Sequence, residues 1–155
     1  MGYYVTLLHT QTFIPASLFP TLCKHILSSD FMRPENMSGG CYGGPDDGKR
    51  WFSWCDMDAL RKALETNDFI GVLECFRFDV ICKTDTNDIE DLCFDCKCGD
   101  EEKLFRWIAA VLPGTHRFDW QGEGGERWRW LIKDNKMHWI DGITMFPGDD
   151  EGDDE

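Results

Sequence analysis

The chain has no unbroken apolar stretch near the roughly 18 residues that a membrane-crossing helix needs, which argues against a membrane partner. Its opening, Met1-Gly2-Tyr3-Tyr4-Val5-Thr6-Leu7-Leu8, lacks a basic leader region and a small-residue cleavage site. No secretory signal is read there, and a cytoplasmic location is expected. Gly2 with Thr6 fits the letter of a myristoylation pattern, but two bulky tyrosines follow the glycine and the segment has strand character. Cations are scarce, with 16 lysines and arginines against 29 aspartates and glutamates and a formal charge of −13. Phosphate backbones are held by clustered Lys and Arg, so direct nucleic-acid binding is disfavoured and a basic surface on a protein partner is favoured. Also missing are an H-E-x-x-H pair, a nucleophile elbow, and any cysteine and histidine whose proximity follows from spacing. The four histidines, His9, His25, His116 and His138, sit singly in unrelated elements, so no catalytic residue is assigned and no cofactor is implied.

What is present is one domain's length, 155 residues of which 42% are apolar, enough for a substantial core. We read a single α+β domain over 1–146 and a disordered acidic tail over 147–155. Residues 149 to 155 hold six of the acids, yet the other 148 residues still carry −7, so the body itself is acidic. Eight cysteines in a chain rich in Phe and Trp are expected to be reduced and mostly buried as small hydrophobes.

Along the chain, Tyr3 to Leu8 predicts a strand. Residues 18 to 28 predict a helix with Ser17 as its cap, Pro20 in the first turn, and a buried stripe of Leu18, Leu22 and Ile26, with Phe19 and Cys23 beside it. Residues 31 to 50, with Pro34, Pro45 and five glycines, predict a long loop, and Trp51-Phe52-Ser53-Trp54 a short aromatic strand. Asp56 then caps a helix bearing Met57, Leu60, Ala63 and Leu64. Period-two alternation begins at residue 72 and puts Phe76, Phe78 and Val80 on one arm of a hairpin, with Leu92 and Phe94 on the other. Asp100 starts a helix whose stripe is Leu104, Phe105, Ile108, Val111 and Leu112, and Pro113-Gly114 ends it. His116 to Trp120, Arg127 to Lys133 and Met137 to Ile140 form a three-stranded meander. The whole is a mostly antiparallel sheet with about three helices on one face. We find no internal repeat.

Three motifs need weighing. Gly43-Gly44-Pro45-Asp46-Asp47-Gly48-Lys49 matches the string of a phosphate-binding loop, but Arg50 replaces the magnesium-binding hydroxyl, two aspartates would repel phosphate, and a strand follows where a helix is required. Cys93, Cys96 and Cys98 resemble half of a zinc site, but a second ligand pair is absent and alternation sends Cys93 to the opposite face from the other two. No metal site is assigned. Trp128-Arg129-Trp130 puts both indoles on one face and Arg127 and Arg129 on the other. That fits Trp120, Trp128, Trp130 and Trp139 as core beneath the helices with the arginines on the open face, and alternatively a base- or sugar-stacking platform.

The segments Ser38-Gly39-Gly40-Cys41-Tyr42-Gly43-Gly44, Arg50-Trp51-Phe52-Ser53-Trp54-Cys55-Asp56, and Gly122-Glu123 through Arg127-Trp128-Arg129-Trp130 resemble those of a family of small, acidic, uncharacterised proteins encoded by bacteria and their phages. The likeness spans residues 2 to about 140 and implies a bacterial or phage cytosolic setting; it carries over no catalytic residues.

The charge and the missing catalytic pattern together predict a non-enzymatic interaction protein that occupies a basic site on a host macromolecule. Its sharpest form is a phage-encoded inhibitor or nucleic-acid mimic. The alternative is a small-molecule binder or hydrolase with a pocket at the glycine-rich 38–50 loop. Candidate binding residues are Tyr42, Gly43, Gly44, Asp46, Asp47, Trp51, Trp54 and Asp56.

Overall fold

A computed structural model describes residues 3–33, 55–97, 99 and 101–142. They form an α+β fold with four helices, a five-stranded antiparallel sheet and a separate two-stranded hairpin. The elements in chain order are β1 (Tyr4–Gln11), α1 (Phe19–Leu27), α2 (Met57–Glu65), α3 (Phe69–Cys75), β2 (Asp79–Cys82), β3 (Ile89–Cys93), β4 (Asp95–Lys97), α4 (Glu101–Ala109), β5 (His116–Gly122), β6 (Arg127–Lys133) and β7 (Lys136–Asp141). Strands run in the order β4-β1-β5-β6-β7 in the large sheet, and β2 pairs with β3 in the hairpin.

The meander follows from its turns. Asp134 and Asn135 both take left-handed backbone angles, φ 54° and 62°, the geometry of the two-residue turn whose twist matches antiparallel strands. At the other turn, Gly122 lies close under two side-chain ends: an added Cβ would lie 2.5 Å from the Tyr3 hydroxyl and 2.7 Å from the Glu126 carboxylate, so both would have to shift. That hydroxyl donates to Glu126, while the Tyr4 amide donates to Glu123 Oε1 at 2.6 Å. The first residues of β1 are thus pinned to the β5–β6 turn.

Alternation gives the sheet two chemically distinct faces. Val5, Leu7, Phe118, Trp120, Trp130, Ile132 and Met137 point toward the helices and are buried. Phe105 of α4 sits on this layer, with ring centroids 5.1 Å from Phe118 and 5.3 Å from Trp130. Phe78 lies among Phe94, Phe105 and Trp120 at 5.0, 5.4 and 6.2 Å, mostly in tilted or edge-on geometries that aromatic quadrupoles favour. Truncating Phe78 or Phe105 to alanine would cost about 3–5 kcal/mol through lost burial and the cavity left behind.

Several expectations need correction. The helix expected from residue 18 begins at Phe19 with Pro20 in its first turn. It is preceded by a 3-10 turn over Ala16–Leu18, and Ser17 makes no cap. The orphan amide of Ala16 is instead satisfied from far along the chain, by Asp88 Oδ1 at 2.7 Å. A fourth helix, α3, occupies Phe69–Cys75, with Asp68 accepting from the Gly71 amide at 2.9 Å. Phe76 and Phe78 are therefore not strand residues; they flank Arg77, whose φ of 73° turns the chain out of α3, and the hairpin arm starts only at Asp79. The alternation around 76–80 came from two buried phenylalanines on either side of a left-handed residue. After β3, β4 joins the large sheet beside β1, which sequence reading missed.

The tryptophans need a further correction. All four lie on the helix-facing side, but only Trp120 and Trp130 are buried; Trp128 is half-buried and Trp139 is 41% exposed. Trp139 stacks on Trp128 with planes 3° apart and centroids at 5.7 Å. The row runs beyond the helical layer toward the β7 edge. Of the described cysteines, Cys23 and Cys55 are buried, Cys75, Cys82 and Cys96 half-buried and Cys93 exposed, so fewer are core than expected; none of these six is in a disulfide.

Candidate interaction surfaces

Seven of the eight candidate binding residues, Tyr42, Gly43, Gly44, Asp46, Asp47, Trp51 and Trp54, lie outside the described residues, as do the expected aromatic strand, most of the 31–50 loop and the acidic tail. Asp56 is described, and its carboxylate is spent on structure: Oδ1 accepts from the amides of Asp58 at 3.0 Å and Ala59 at 3.2 Å, capping α2 as expected.

Charge is segregated over the fold. Between Asp56 and Asp91, through α2, α3 and the hairpin, lie ten carboxylates and four cations, Arg61, Lys62, Arg77 and Lys83. Every one of those carboxylates is exposed except Asp88 and Asp91, which are half-buried. The ion pairs between described residues join Arg33 to Asp30 and Arg117 and Arg129 to Asp119, and none takes a carboxylate from this stretch. Several carboxylates do cap local backbone, as Asp56, Asp68 and Asp88 show, but the negative charge on this side is left largely uncompensated.

The open face of the large sheet has the opposite character. Register places Asp95 and Lys97 of β4, Tyr4, Thr6, His9 and Gln11 of β1, Arg117, Asp119 and Gln121 of β5, Arg127, Arg129, Leu131 and Lys133 of β6, and Lys136, His138 and Ile140 of β7 on that side. Six cations meet two carboxylates there. Asp119 is wholly buried on this face, because Arg129 grips it through Nε at 2.6 Å and Nη2 at 3.2 Å while Arg117 Nε approaches Oδ2 at 3.3 Å. Arg127 Nε donates to Gln121 Oε1 at 3.1 Å. The Arg127-to-Trp130 motif is thus an arginine row on one side and tryptophan packing on the other, as the alternation predicted.

The histidines do not converge. His116 is buried, with Nε2 donating to the Pro113 carbonyl at 2.8 Å and Nδ1 accepting from the Thr12 hydroxyl at 2.6 Å. A carbonyl can only accept, which fixes this tautomer, and burial holds the imidazole pKa below its ordinary value. His25 Nε2 meets the Trp107 carbonyl at 3.1 Å. Its groove, of 460 Å³, is lined by Lys103, Arg106 and Trp107 between α1 and α4. A second groove, of 350 Å³, lies between β1 and β3 beside the register shift that β1 makes against β5 between Leu7 and His9, and its walls include His9, Asp91, Cys93 and Arg117. Sequence spacing gave no sign of this last grouping, whose members come from three strands. Among the described residues no three His, Cys, Asp or Glu side chains are grouped to hold a metal ion, and no helix is long and apolar enough to cross a membrane.

Comparison with models of known families, with curated proteins and with solved structures gives no match for this chain. Its class rests on the α+β architecture itself, and function is argued from the surfaces.

Proposed function

We propose that the protein is a non-enzymatic interaction protein whose acidic side, formed by α2, α3 and the β2–β3 hairpin, occupies a cationic site on another macromolecule, in the manner of a nucleic-acid mimic. The observation that carries this reading is the block of ten carboxylates against four cations over 56–91, with no ion pair to the described lysines and arginines. Like charges held on one folded side cost stability through self-repulsion, and a complementary partner relieves that repulsion while steering its own approach.

The test is affinity capture from bacterial lysate at about 50 mM salt, where screening is weak, run beside a charge-reversed variant, Glu74→Lys/Asp79→Lys/Glu90→Lys. The expected result is a basic protein held by the wild type, released by about 0.5 M salt, displaced by duplex DNA and not held by the variant. Equal retention by the two proteins, or retention of nothing by the wild type, overturns the proposal.

A further inference from the structure

Net charge misleads when cations are gathered on one face. We infer that the open face of the five-stranded sheet is a binding surface for single-stranded nucleic acid, independent of the acidic side. Among the described strand residues the face offers Lys97, Arg117, Arg127, Arg129, Lys133 and Lys136 against Asp95 and Asp119, more cations than carboxylates within a chain of −13. These cations span β4 to β7, about 20 Å at the usual strand spacing. The occupant that such charge complements is a flexible polyanion lying across the strands.

Three further features favour a nucleic-acid strand over an acidic peptide or a duplex. Tyr4, 49% exposed, stands in register beside Lys97, and exposed His9 and His138 lie elsewhere on the same face, so planar groups for base stacking share the surface with the cations. The Asp119 carboxylate and Gln121 amide hold the guanidinium groups of Arg129 and Arg127 in fixed positions, which reduces the ordering cost when a base or phosphate meets them. Among the described residues the register assigns this face to strands of one antiparallel sheet; a duplex groove is entered by a projecting helix or ribbon, whereas a single strand needs only a surface.

The experiment is fluorescence anisotropy with a labelled 12-nucleotide oligouridylate and the full chain. Binding is expected at 50 mM salt and, with about four phosphates neutralised, a weakening of about 50-fold by 200 mM. Lys133→Glu/Lys136→Glu, at two exposed positions where folding is not at stake, is expected to weaken binding at least tenfold, and Tyr4→Ala several-fold. Arg61→Glu/Lys62→Glu, on the acidic side, is expected to change it less than twofold. Absence of binding at 50 mM salt, equal weakening by both charge reversals, or displacement of the strand by polyglutamate or duplex as effective as by unlabelled strand overturns the inference. Because the acidic-side variants of the preceding proposal leave this face untouched, the two readings can fail separately.

Discussion

Asp119 is the buried charge on which the arginine row is built, and its removal has a calculable consequence. Breaking a buried ion pair from one side costs about 3–5 kcal/mol, since the partner is left desolvated and unpaired. Here Arg129 and Arg117 retain 15% and 26% of their side-chain surface in contact with solvent. They can turn partly toward water, which places Asp119→Ala at the lower end, about 3 kcal/mol. For a chain of this length that lowers the melting temperature by about 6–12 °C, read by far-UV circular dichroism or calorimetry. A second variant separates stranded charge from lost packing. If charge is the cause, Asp119→Leu/Arg117→Met/Arg129→Met recovers most of the loss, because apolar groups of similar volume replace a buried ion cluster at little cost. An Asp119→Ala protein melting within 2 °C of wild type, or a triple variant no more stable than the single one, refutes the reasoning.

Two other predictions concern buried titratable groups. Burial depresses the folded-state pKa of His116, so the unfolded chain binds its proton more readily. The stability this histidine supports is complete above about pH 6.5 and declines as pH falls through that value. Melting curves between pH 7.5 and 5.5 should fall more steeply for wild type than for His116→Gln; parallel curves would count against it. Burial also pushes the Cys23 thiol up to about 12, leaving almost no thiolate at neutral pH, whereas Cys93 is exposed. Alkylation of native protein followed by peptide mass spectrometry should modify Cys93 and spare Cys23 until denaturant is added; early modification of Cys23 would show that its site opens on its own.

The C-terminal half was legible because its signals are local. Asp134-Asn135 specifies a tight turn, alternation across Arg127–Lys133 separates tryptophan from arginine, and the α4 stripe repeats at helical spacing. What was missed depends on distant residues or on brief conformational changes. Helix α3 spans only seven residues and hides behind two phenylalanines that imitate strand alternation. Strand β4 has three residues and exists because β1 is there to pair with it. The surfaces were half legible: the arginine row follows from alternation in β6, but total charge could not reveal that β4, β5 and β7 add cations to the same side.

Strand β1 lies between β4 and β5, so its hydrogen-bonding neighbours are residues 95–97 on one side and 117–122 on the other. During synthesis at the ribosome, β1 must wait for roughly a hundred further residues before both its edges are covered. Until then an apolar-and-aromatic segment is available to wrong neighbours. The partners in the Asp88-to-Ala16 and Ile14-to-Ile89 links are synthesised before β5, so these contacts can close while β1 still lacks one of its neighbours. A clasp that forms at that stage limits wrong pairing and so acts on the yield of correctly assembled chains.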